Sequence, residues 1–156
     1  MSENKRLAII ATKGTLDWAY PPFILASTAA ALGYDAQIFF TFYGLNLLRK
    51  ELDLRVSSLG NPAMPMPIPV PTVVQALPGM EYFMTAMMKR KIKDKGVASI
   101  EELRDLCIEA EVKLVACQMT VDLFDYSHDD FLSCVEYGGA ASFLDFAGDS
   151  DICLYI

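Results

Sequence analysis

The chain of 156 residues reads as a three-layer α/β sandwich built on a mainly parallel sheet of five or six strands. Three observations lead there. Short apolar runs at 7–12, 34–41 and 112–116 lack polar alternation, the mark of strands buried on both faces. Segments of helical pattern separate them, and strands that alternate with helices pair in parallel with helices on both sides. Hydrophobic residues make up 53 % of the chain and mean hydropathy is +0.29, which suits doubly covered strands and surface hidden in an oligomer. The length fits a single domain, 1–156, whose core needs neither disulfide nor structural metal.

The first strand is broken by the turn Lys13-Gly14-Thr15. Residues 19–32 then have helical composition, with Pro21 and Pro22 assigned to the first turn, where a missing N–H is harmless, and Gly33 as the stop. After the second strand, Phe42-Tyr43-Gly44 turns into a short helix over 45–50. Residues 60–78, rich in proline and methionine, suit neither a regular helix nor an interior strand and are expected to form a long loop, as a lid or a subunit arm. Beyond Gly79, the residues Met80, Phe83, Met84, Met87 and Met88 fall on one helical face. That face is expected to pack on the core or on another subunit. The basic end over Lys89, Arg90, Lys91, Lys93 and Lys95 gives membrane-surface contact through 80–95 as the alternative.

Ser99 and Glu102 have the spacing of a capping box that opens a helix reaching 110. The strand over 112–116, a short helix over 118–124, a helix near 129–134, a strand at 135–137, a helix over 140–147 and a strand at 152–156 complete the reading.

Composition removes several functions. Residues 1–98 carry 11 basic and 7 acidic side chains, whereas 99–156 carry 2 basic and 13 acidic. An acidic half repels nucleic acid and suits a partner with a basic surface. The four cysteines, at 107, 117, 134 and 153, include no C-x-x-C pair, and the chain has one histidine, so zinc is not expected. No glycine-rich nucleotide loop follows the first strand, and no other cofactor is expected. Ser127-His128-Asp129 has the residue types of a hydrolase triad, but neighbours in sequence rarely converge on one reacting atom, and His128 is read as a surface residue. The uncharged stretches 18–34 and 56–80 hold too many Pro, Gly, Ser and Thr residues for a membrane span. With no secretory leader before the first strand, a cytoplasmic location is expected.

What remains is a cluster at the carboxyl ends of the parallel strands, where ligands of open α/β sheets gather. It comprises Thr12, Lys13 and Gly14, then Thr41, Tyr43 and Gly44, then Cys117, Gln118 and Met119. Cys117 ends its strand against the amino end of the next helix, an environment that favours an anion. A thiolate is such an anion and is the nucleophilic form of cysteine. The nearby Asp122 and Asp125 oppose that charge. Lys13 is assigned to stabilise a thiolate or persulfide, and Thr41 and Tyr43 to donate hydrogen bonds. Cys107, Cys134 and Cys153 read as core residues. An inert Cys117 in an oligomeric ligand-binding or scaffold module is the alternative.

The stretches Lys13-Gly14-Thr15-Leu16-Asp17, Phe39-Phe40-Thr41-Phe42-Tyr43-Gly44 and Ala116-Cys117-Gln118-Met119 resemble the DsrE-like (DsrE/DsrF) sulfur-relay family along nearly the whole chain. The resemblance implies a flavodoxin-like domain that forms homo- or hetero-oligomers. It further implies sulfane sulfur carried as a persulfide at the position of Cys117. Donor and acceptor proteins of TusA-like or rhodanese-like type are implied as partners, with turnover catalysis left open.

Overall fold

The computed structural model describes residues 4–57 and 71–156. Five strands, β1 (Arg6–Ala11), β2 (Asp35–Phe40), β3 (Lys113–Cys117), β4 (Glu136–Gly138) and β5 (Ile152–Tyr155), form one sheet in the order β4-β3-β2-β1-β5. Every pairing is parallel. The helices are α1 (Leu16–Ala31), α2 (Thr72–Gln75), α3 (Met80–Asp94), α4 (Ile100–Glu109), α5 (Gln118–Leu123) and α6 (Ala140–Gly148).

The layers follow from chain direction. From β1 to β2 to β3 the chain steps the same way across the sheet, and right-handed crossovers put α1 and α4 on one face. Between β4 and β5 it returns across the whole sheet, so α6 lies on the opposite face. Alternating residues obey this division. Leu7, Ile9, Ala11, Ile38, Phe40, Leu114 and Ala116 join Phe23 of α1 and Leu103 and Cys107 of α4 in the main core. Ala8, Phe39, Val115 and Cys117 meet Phe143 of α6 in a smaller one, where the Phe39 and Phe143 rings stack at 5.1 Å. Among the described residues a single helix covers only part of that second face, and Cys153 and Tyr155 of β5 stay exposed on it.

Several sequence expectations change. The first helix begins at Leu16, three residues early, which places Pro21 and Pro22 in its interior. An interior proline costs about 3 kcal/mol against alanine. Part of that loss, incurred at both prolines, is offset because Pro22 and Phe23 are fully buried, and a buried phenylalanine contributes about 1.5–3 kcal/mol. The short helix after β2 is a 3-10 helix from Phe42 to Leu48. Arg104, buried on α4, clamps its end by donating to the carbonyls of Leu47 at 3.0 Å and Arg49 at 2.7 Å.

The helix expected near 129–134 shrinks to one 3-10 turn, His128–Asp130. The capping box at Ser99 and Glu102 forms as expected. Of the α3 stripe only Met84 is fully buried, and Phe83 is exposed. Residues 60–70 of the expected loop lie outside the described residues, and the remainder contains α2. Among the described residues, no helix is long and apolar enough to cross a membrane.

Candidate functional site

The carboxyl edge of the sheet is assembled by tight backbone approaches. After β1 the chain turns at Gly14, where a Cβ would overlap the carbonyl oxygen of Tyr43. After β2 it turns at Gly44, where a Cβ would overlap the carbonyl oxygen of Ala11. These two glycines lock the ends of β1 and β2 together, which explains glycine at both positions. Beyond β2, the Oγ1 of Thr41 lies 3.2 Å from that of Thr120 on α5, and the Phe42 N–H donates to Thr120 Oγ1 at 3.3 Å. The ends of β1, β2 and β3 are therefore joined through short-range contacts.

Cys117 is the last residue of β3 and the N-cap of α5. Its backbone lies opposite Gly138 of β4, and its side chain enters the smaller core beside Val115 and Phe143. Only 4 % of the residue is exposed. The other thiols are arranged contrary to expectation in two cases, since Cys134 and Cys153 are exposed, while Cys107 is buried as expected. Burial pushes the Cys107 thiol up to about 11, against which a backbone hydrogen bond acts weakly.

The expected pocket resolves into two neighbouring parts. Lys13, Gly14 and Tyr43 line a concavity of about 400 Å³ with Thr15, Trp18, Asn46 and Ser57. Within it, Lys13 Nζ sits 3.2 Å from the Trp18 ring centroid, so the indole face, rather than a thiol, is its neighbour. Cys117, Thr41, Gln118 and Met119 do not line this concavity and occupy the β3–α5 side of the edge. Aromatic contacts connect the two parts, because Tyr43 stacks on Phe124 at 5.9 Å and Phe42 meets the same ring edge-on at 6.2 Å. A larger depression, about 950 Å³, lies away from the strand ends, between Lys89 and Lys93 of α3 and Glu101, Glu102 and Asp105 of α4.

A polar chain that sequence reading missed runs beside Cys117. Gln118 donates through Nε2 to Asp122 at 2.7 Å, while its Oε1 lies 3.2 Å from Nε2 of His128. The imidazole stacks on Tyr137 with centroids 3.7 Å apart and planes 10° from parallel. Burial first, and the Asp129 carboxylate second, raise the Tyr137 phenol above its ordinary value. The i,i+4 spacing of Gln118 and Asp122 was legible in the sequence. The stacking of His128, in the 3-10 turn after α5, on Tyr137 of β4 was not.

The fold and site define a parallel α/β domain whose third strand is closed by a buried cysteine. The chain belongs to the DsrE/DsrF/DrsH-like family, whose family model matches residues 3–155. It is 69 % identical over 158 aligned positions to "Sulfur carrier protein DsrE2" of Allochromatium vinosum, covering 99 % of each chain. It is 32 % identical to "Uncharacterized protein YrkE" of Bacillus subtilis, covering 99 % of this chain and 98 % of that one. Among solved structures, the YchN protein of E. coli aligns with a TM-score of 0.56 at 11 % identity, over 97 % of this chain and 99 % of the other, a likeness of fold.

Proposed function

We propose that the protein is a cytoplasmic sulfur carrier that relays sulfane sulfur as a persulfide on Cys117. The reading is carried by the position of Cys117, which closes β3 at the ligand-bearing edge of a chain so similar to a named sulfur carrier. In the loading step, the Cys117 thiolate attacks the outer sulfur of a donor persulfide. The Sγ–S bond forms as the donor's S–S bond breaks, and the electron pair leaves with the donor thiolate. An acceptor thiolate reverses the exchange at Cys117, so neither step consumes an oxidant or reductant.

Gln118, Met119 and Thr41 border the thiol in this proposal, while Lys13, Gly14 and Tyr43, held in place by the packing of Gly44 on Ala11, form the adjoining part that receives a small anionic donor. Donor and acceptor proteins of the TusA-like or rhodanese-like kind are its partners. The exposed Cys153, Tyr155 and Leu144 beside α6 support assembly into a homo-oligomer. Because Cys117 is nearly inaccessible in the isolated chain, transfer requires α5 or the first turn of α6 to yield.

That same burial favours a second reading, an oligomeric binding or scaffold module with an inert cysteine. Sulfur loading separates the two. Reduced protein carrying Cys134→Ser and Cys153→Ser is incubated with polysulfide and weighed intact, which removes the exposed thiols as acceptors. One added sulfur atom that disappears with Cys117→Ser supports the carrier. No addition, or addition indifferent to Cys117→Ser, leaves the scaffold reading.

A further inference from the structure

Beside Cys117 the chain displays apolar side chains that folding does not bury. Met119 and Leu123, at i and i+4 on α5, are 63 % and 59 % exposed. Phe42 and Tyr43, which pack on the ring of Phe124 directly after Leu123 in the chain, are 44 % and 64 % exposed. Phe42 also holds a left-handed backbone, with φ of 50°. For a bulky residue this conformation is strained. The strain therefore turns an aromatic ring outward instead of into the core, a double loss for the isolated chain.

The charge around this patch has one sign on the α5 side. Asp122, Asp125, Asp129 and Asp130 are exposed, and none forms an ion pair among the described residues. No Lys or Arg occurs anywhere after Lys113. Of the nearby cations, Lys13 and Arg49 are turned onto the rings of Trp18 and Tyr126, and the exposed Lys50 adjoins Asp130, to whose carbonyl its backbone N–H donates, rather than α5. A second copy docking the same face would set these carboxylates against their equals.

We propose that Phe42, Tyr43, Met119 and Leu123, with the carboxylates of Asp122 and Asp125, form the docking surface for a sulfur-exchange protein whose cysteine lies in an apolar patch ringed by Lys and Arg. This rests on the persulfide reading above and specifies the partner for it. Apolar contact seats the partner, and opposite charge sets its orientation and speeds its approach. Docking on α5 applies force to the helix that Cys117 caps, which brings the partner's thiolate to the outer sulfur. Transfer breaks the Cys117 S–S bond, forms the partner's S–S bond and leaves the electron pair on Cys117.

The test uses protein loaded at Cys117 in the Cys134→Ser/Cys153→Ser background. Two short acceptor peptides share one cysteine between leucines and differ in having lysine and arginine, or glutamate and aspartate, around it. Each transfer rate is divided by that peptide's rate with a small aromatic disulfide, which removes differences in intrinsic thiol reactivity. The expected result is a preference of about tenfold for the basic peptide at low ionic strength, falling toward unity in concentrated salt. Asp122→Asn/Asp125→Asn lowers the preference, and Met119→Ser/Leu123→Ser slows transfer to the basic peptide. Asparagine suits the left-handed backbone of Asp125, so the charge variant retains its fold.

Equal normalised rates from a loaded protein overturn the docking surface and leave the persulfide reading intact. Failure to load Cys117 overturns both. Sedimentation of the wild type and of Met119→Ser/Leu123→Ser adds a separate outcome. An oligomer that the substitutions dissociate assigns the patch to a second copy and overturns the proposal.

Discussion

The hydroxyl of Thr120 on α5 lies 3.2 Å from that of Thr41 at the end of β2, and Thr120 is wholly buried. Because Thr120 Oγ1 also accepts from the Phe42 N–H, it is the fastening between the β2 turn and the helix that follows Cys117. Thr120→Val keeps the shape and deletes both bonds. A destabilisation of about 1–3 kcal/mol is expected, since the substitution leaves polar partners unsatisfied. Urea unfolding measures it, and the same variant should alkylate faster at Cys117 as α5 loosens.

The approach of Gly44 to Ala11 gives a sharper result. The obstacle is a backbone oxygen in the centre of the sheet edge, and no rotamer change relieves it. Gly44→Ala is expected to lower stability by about 1–3 kcal/mol or more. Gly33→Ala provides the contrast, because its surroundings are open and only its φ of 83° resists the side chain. A thermal melt that showed equal losses for the two would contradict this account.

Arg104 offers a third measurement. Its guanidinium donates to the carbonyls of Leu47 and Arg49, and burial lowers its proton affinity below the ordinary value. Arg104→Met retains much of the side-chain volume but leaves both carbonyls without that donor. Hydrogen bonds to a charged group contribute about 1.5–3 kcal/mol each, so deleting the two predicts a loss of about 3–6 kcal/mol in urea unfolding. The 3-10 segment from Phe42 to Leu48 should then exchange its amide hydrogens faster.

Cysteine reactivity should follow a definite order. Cys134 and Cys153 are exposed and should alkylate first in the native state, Cys117 more slowly, and Cys107 last. With Cys107 held up to about 11 by burial, its thiol keeps its proton in the folded chain at pH values where the unfolded chain releases it. The unfolded state then binds fewer protons, so this contribution is complete below about pH 8.5 and is lost as pH rises toward the folded value. Cys107→Ala removes this dependence. The stability difference between wild type and variant should therefore narrow between about pH 8.5 and 11, as judged by urea midpoints.

The sheet was legible because its information is local and repeated. Uninterrupted apolar runs marked β1, β2 and β3, and Ser99 with Glu102 marked the start of α4. Helix α1 was misjudged at its start because proline penalties are local, whereas the burial of Pro22 and Phe23 that partly offsets them is tertiary. Cys134 and Cys153 were read as core for a related reason. Whether a thiol in a loop or an edge strand is covered depends on which elements pack over it, which sequence pattern does not reveal. In the candidate site, proximity in the sequence identified the β3–α5 junction. It did not separate Lys13 from Cys117, nor did it bring His128 onto Tyr137.

The return of the chain across the sheet has a consequence for biosynthesis. β1 is made first, yet one of its two edges pairs with β5, made last, and Thr12 at its end bonds twice to the carbonyl of Ile156. While the intervening residues are being synthesised, this interior strand has an unpaired edge available for wrong partners. Closure of the sheet thus waits until the residues between β1 and β5 have been made, and protection of β1 during that interval falls to whatever meets the chain outside the ribosome.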